Sequence, residues 1–199
     1  MLRALEAWAH DGIVEARTRA FALLLWDGSI RTKAALALNA EDVVEDPTAN
    51  RIVVRSAVKE RPCEANRYRS REFVLSARTR SALADYLRVL RTGGWLPTGR
   101  LQGPLFVSST GTGSPKRISS RSAIHWWDFF QEKVKSHCTR TYQLDDLVYS
   151  GRIAYLEASG GDSESLSDHS GISRRWASEY RSDHKLAPAE VMKKLDKSR

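Results

Sequence analysis

A chain of 199 residues, 41% hydrophobic and 28% charged, fits one globular domain with a core of its own. Its 32 Lys and Arg against 24 Asp and Glu leave a net charge of +8, which points to a polyanionic partner, most simply a nucleic acid. The two cysteines, Cys63 and Cys138, stand apart, which argues against a disulfide framework and a thiolate zinc site, so no metal is expected. No apolar run is long enough to cross a membrane and no signal-peptide core opens the chain, so the expected compartment is the cytoplasm.

Leu2, Leu5 and Trp8 fall at helical spacing and predict a short opening helix. Phe21, Leu24 and Leu25 predict a second helix with one buried face, and Gly28 is expected to close it by taking φ > 0. Arg31 follows directly, and Ala34, Ala35 and Leu38 begin another apolar helix behind it. An arginine at the hinge of two apolar helices is held rigidly with its guanidinium free to face a cleft, a seat suited to clamping a phosphate.

Asp46-Pro47 and Asn50 mark a turn, after which residues 51–55 and 71–76 read as the two strands of a hairpin. Its long tip carries Lys59, Arg61, Arg67, Arg69 and Arg71 and is either a solvated loop or a finger laid along a phosphate backbone. Ser76 is placed to cap a helix running to Leu90, with Leu83, Leu87 and Leu90 on one face. A Gly- and Pro-rich loop follows, and Leu105 to Val107 read as a short strand or buried extended piece. Residues 108–117 hold two glycines but lack the GK[ST] ending of a phosphate loop and read as a surface loop. Ser119 or Ser120 caps the next helix, whose expected buried stripe is Ile124, Trp127, Phe130 and Val134, with Trp126 and Phe129 covering a neighbouring element.

Residues 26–43, an apolar helix, a Gly-containing turn, Arg31, a second apolar helix and an acidic pair before a strand, resemble the first active-site box of the tyrosine recombinases, the phage integrase family. His169-Ser170-Gly171-Ile172-Ser173 resembles that family's Leu-Gly-His-Ser-x-Ile-Ser stretch, with Asp168 where Gly is usual. Between them, residues 139–161 have the layout of the His-x-x-Arg helix, and Leu156-Glu157-Ala158 echoes its end. The second catalytic Arg is missing: one register puts Asp145 in its place, another puts Val148 there. Arg140 and Arg152 are the nearby arginines that could compensate.

The resemblance implies an α+β, mostly helical domain with a small antiparallel β-sheet or hairpin, spanning residues 1–199 without a separate DNA-gripping domain ahead of it. It implies Tyr180 as nucleophile on a DNA phosphodiester, Arg31 and His169 as phosphate clamps, and Lys59 as general acid or simple phosphate contact, with no metal or other cofactor. Tyr180 lies slightly further from His169 than the family spacing, which leaves a structural tyrosine as the other reading. The basic side chains Arg55, Arg61, Arg67, Arg69, Arg71, Lys116, Arg117, Arg174 and Arg175 are the expected contacts to double-stranded DNA. A last helix starting at Pro188 is where the chain would meet another copy or a partner recombinase. The expected function is DNA binding associated with recombination or integration of a mobile element, with catalysis impaired by the lost Arg. The alternatives are an active recombinase working through a phosphotyrosyl link at Tyr180, and a basic helical module that binds RNA or protein.

Overall fold

One helix is enclosed on every side: each residue from Ala16 to Leu25 is buried. The structure, a computed structural model, describes residue 5 and residues 12–46, 51–58, 69–93, 103–108, 116–135 and 141–183. The enclosed helix, α1 (Ile13–Gly28), runs through the middle of the main core, so its apolar positions go all the way round. Phe21, Leu24 and Leu25 alone predict only one buried face. Around it come α2 (Thr32–Ala37), a 3₁₀ turn at Ala40–Asp42, strands β1 (Val43–Asp46), β2 (Arg51–Val58) and β3 (Arg69–Val74), and then α3 (Ala77–Thr92), α4 (Ser120–Lys133), α5 (Leu144–Ala158), α6 (Ser163–Ser170) and α7 (Arg174–Asp183). The α+β expectation therefore holds, mostly helical with one small antiparallel sheet.

The sheet has the order β1-β2-β3, both pairs antiparallel, with Val54 opposite Val43 on one side and Phe73 on the other. Along β3 the pleat alternates: Glu72 and Val74 face out, while Phe73 and the following Leu75 are buried. Both strands run longer than or offset from the predicted segments, because strand ends are set by ladder pairing rather than by composition. Leu5 is helical and fully buried; the other residues of the predicted opening helix lie outside the described residues, as do the hairpin tip from 59 to 68 and everything after 183.

Local capping chemistry is where it was expected. Ser76 accepts from the Thr79 N–H and Ser119 from the Ser122 N–H, each satisfying an orphan donor of a first helical turn. The buried stripe of α4 is Ala123, Trp127, Phe130 and then Val134, whereas Ile124 is 50% exposed. At about 100° per residue, Ala123 lies on the same side of Trp127 as Phe130 and Val134, and Ile124 swings to the other side. Trp126 does cover a neighbour: the Arg17 guanidinium of α1 lies 3.4 Å from its ring centroid. Phe129, by contrast, is left largely exposed beside Lys133.

Arg17 is the unusual occupant of the core. It is fully buried, its Nη1 donates to the Val107 carbonyl at 2.7 Å, and its Nε and Nη2 have no hydrogen-bond partner among the described residues. Burial disfavours the cation and lowers its pKa to about 10. Tyr86 meets the same backbone unit from the other side, its hydroxyl accepting from the Val107 N–H at 3.1 Å, and burial raises its pKa to about 12. Leu105, Phe106 and Val107 are the buried extended piece that the sequence predicts, fastened by these two side chains.

Candidate functional site

The last carbonyls of a helix need donors from elsewhere, and at the end of α1 two of them find donors while the Asp27 carboxylate takes a third. The Ser29 N–H returns to the Trp26 carbonyl at 3.4 Å. His169, near the end of α6, brings its Nε2 to 2.8 Å from the Asp27 carbonyl. The Asp27 carboxylate accepts from the Ser76 N–H at 2.9 Å, at the start of α3, and Arg78 stands 4.0 Å from it. The left-handed residue of this turn is Ser29 (φ 48°), not Gly28 as expected. Gly28 is there for space: a Cβ would lie 2.6 Å from the Phe73 ring. Ser29 and Ile30 are buried, and Arg31 emerges exposed as the extended residue before α2. The exposed position between two helices agrees with the sequence reading, but Arg31 does not line the cleft between the sheet and α6.

Helix α5 crosses this end of α1 at Gly151, where a Cβ would meet the Trp26 carbonyl oxygen at 2.1 Å. The contact is backbone against backbone, so only glycine fits. At the start of α5, Gln143 and Asp146 form a reciprocal cap, and Asp145 is exposed and accepts from the Thr32 hydroxyl at 3.3 Å. A carboxylate thus stands beside the residue that follows Arg31. Two turns further on, Arg152 Nη1 donates to the Tyr180 hydroxyl at 2.9 Å, with its guanidinium carbon 5.6 Å from the ring centroid.

Helices α6 and α7 are joined by Gly171 in the left-handed region (φ 64°). His169 stacks on Tyr155, centroids 4.0 Å apart and planes 8° from parallel, with Phe73 edge-on at 6.4 Å. Tyr180 is 9% exposed, turned inward against Leu156, Leu166 and Ala177, with Tyr149 at 5.0 Å. Its hydroxyl therefore meets Arg152 in a part-buried contact rather than pointing outward. A cleft of about 680 Å³ opens between the sheet and α6, lined by Val53, Phe73, Leu75, Tyr155 and His169 and edged by Asp27, Glu72 and Asp168. Arg31 does not line it, so His169 and Arg31 are related through Asp27 and not through this cleft.

Of the other candidates, Lys59, Arg61 and Arg67 lie outside the described residues, and Arg55, Arg69 and Arg71 belong to β2 and β3 by backbone alone. Lys116 is exposed. Arg117 donates to the carbonyls of Leu36 and Leu38 and to the Asn39 side chain, tying down the end of α2. Arg174 and Arg175 on α7 pair with Glu164 and Glu179. The residues that sequence reasoning missed are Asp27, Tyr149 and Tyr155. Asp27 had a signal: a carboxylate in the last turn of a helix opposes the helix dipole, so a specific task there is expected.

No protein-family model matches the sequence, and no curated protein matches it. Among solved structures, the chain is similar to the XerH site-specific recombinase bound to difH substrate in a pre-cleavage complex, with TM-score 0.66 and 15% identity over 90% of this chain and 46% of that one. It is similar to the post-cleavage complex of XerH with palindromic difH, with TM-score 0.64 and 14% identity over the same shares, 90% and 46%. It is also similar to the XerA recombinase, with TM-score 0.63 and 18% identity over all of this chain and 61% of that one. The chain spans about half the length of the XerH chains it matches. At these identities the likeness shows the fold alone: a mostly helical domain with a three-stranded antiparallel sheet that resembles these recombinase structures.

Proposed function

We propose that this chain binds double-stranded DNA through the surface around Arg31 and serves recombination or integration as a DNA-binding member of the tyrosine recombinase group whose strand cleavage is impaired. The observation that carries the reading is Asp145, exposed and hydrogen-bonded to Thr32 beside Arg31. Phosphoryl transfer to a tyrosine builds negative charge on the nonbridging oxygens, which paired guanidinium groups offset. Loss of one such donor lowers the rate by roughly 10²- to 10³-fold, and a carboxylate near the same phosphate opposes it further. The net charge of +8 and the basic hairpin support DNA as the partner. Lys59 and the hairpin arginines contribute phosphate contacts in this reading, and the last helix expected from Pro188 is the segment through which the chain meets another copy or a partner recombinase.

A second reading draws on a specific contact. Arg152 on α5 and Tyr180 on α7 are already adjacent, so a movement of α7 that opened this pair to a phosphate would bring a guanidinium and a nucleophile to it together and give an active recombinase.

The test is covalent capture: supercoiled plasmid incubated with the protein, denatured, and examined for protein-linked, relaxed DNA, beside binding measured from low to physiological salt. Salt-steep binding without an adduct in wild type, and tighter binding in Asp145→Arg, is the expected result. An adduct that disappears in Tyr180→Phe establishes the second reading, and binding indifferent to salt removes both.

A further inference from the structure

The resemblance would place His169 on the phosphate, yet its Nε2 is already engaged. A carbonyl oxygen can only accept, so the 2.8 Å contact to Asp27 O fixes the proton on Nε2 and directs that donor into the protein. The ring is immobilised as well, stacked on Tyr155 at 4.0 Å with Phe73 against it. The acceptor is one of the last carbonyls of α1, a group that needs an outside donor and that favours positive character. From that carbonyl the chain passes through Gly28, the left-handed Ser29 and the buried Ile30 directly to Arg31.

We infer that His169 is a positioning residue for Arg31: it clasps the Asp27 carbonyl and so fixes the turn that aims the Arg31 guanidinium, rather than donating to the phosphate itself. Asp27 is the other half of the clasp, because its carboxylate anchors the same turn to the start of α3 through the Ser76 N–H. This inference deepens the DNA-binding reading and rests on it for its functional consequence, though the clasp stands or falls on its own.

Two measurements separate them. The first is limited trypsin cleavage after Arg31 in the full chain without DNA. His169→Ala is expected to raise the cleavage rate about tenfold by freeing the carbonyl, and His169→Gln, whose amide N–H reaches a similar position, to stay within about twofold of wild type. Equal rates in all three proteins overturn the clasp. The second is a double-mutant cycle in binding to a duplex oligonucleotide. Arg31→Ala and His169→Ala each weaken binding about tenfold, and the double variant is no weaker than Arg31→Ala alone, with His169→Gln restored. Losses that multiply in the double variant show a direct phosphate contact by His169 and overturn the inference while leaving DNA binding in place. Trypsin results as expected in a protein that does not bind DNA uphold the clasp and remove the DNA-binding reading instead.

Discussion

The two halves of the candidate site stand on unequal foundations. Arg31 is seated on α1, within a core that draws on nearly every described element from Leu5 to α5. Tyr180 stands on a separate small cluster of Leu156, Leu166 and Ala177, with Ile153, Tyr155 and Ile172 packed around it. Helix α7 also exposes Trp176 to 60% and holds Arg174 and Arg175 in surface ion pairs, which contribute little. A site built this way has one fixed wall and one that can open at much lower cost. The His169 contact to Asp27, the Phe73 ring edge-on to His169 and the Gly151 contact to Trp26 join them.

The largest expected effect tests that inequality. Phe21→Ala in the main core should lower global stability by about 3–5 kcal/mol, seen in urea unfolding. Leu166→Ala, equally buried, should cost about 2–4 kcal/mol but act locally, raising amide exchange across residues 163–183 while α1 to α4 stay protected. Uniform loss of protection in both variants would mean that the two clusters unfold as one unit.

Gly151→Ala attacks the joint. With the Trp26 carbonyl 2.1 Å from the new Cβ, α5 must back away, and a stability loss of about 1–3 kcal/mol is expected from overpacking. The comparison is sharpened if Tyr180 becomes more accessible to nitration in this variant while Tyr86 does not.

A smaller effect lies at alkaline pH, within the main core. Tyr86 keeps its proton to about pH 12 when folded against 10.0 ordinarily, so the stability its neutral form contributes is present below about pH 10 and is lost as pH rises towards 12. Arg17 acts oppositely: burial lowers its folded pKa to about 10, well below that of a free guanidinium, so above pH 10 it adds stability as pH rises. The two slopes offset one another in wild type. Arg17→Met should therefore lose stability more steeply between pH 10 and 11, by up to about 1.4 kcal/mol per pH unit, read from urea midpoints.

What the sequence made legible was local. Ser76 and Ser119 were readable as caps because the donor they satisfy lies three residues away. Arg31 was readable because its neighbours on both sides are apolar helices. The pairing of Tyr180 with Arg152 was not, since it depends on how α7 lies across α5, and neither helix encodes that angle by itself. The engagement of His169 by a carbonyl was hidden for the same reason: a backbone acceptor has no letter in the sequence. Ile124 was misassigned because a strongly apolar residue drew the stripe to itself, when the small Ala123 lies nearer its centre.

Gly28 carries a further consequence. Its missing side chain is a keyhole that the Phe73 ring fills, and Phe73 sits opposite Val54 in the ladder. A two-residue slip of β3 along β2 would preserve the in-and-out alternation of the sheet but would pull that ring from its hole. A vacancy at the end of one helix thereby sets the registration of a strand in a distant part of the chain.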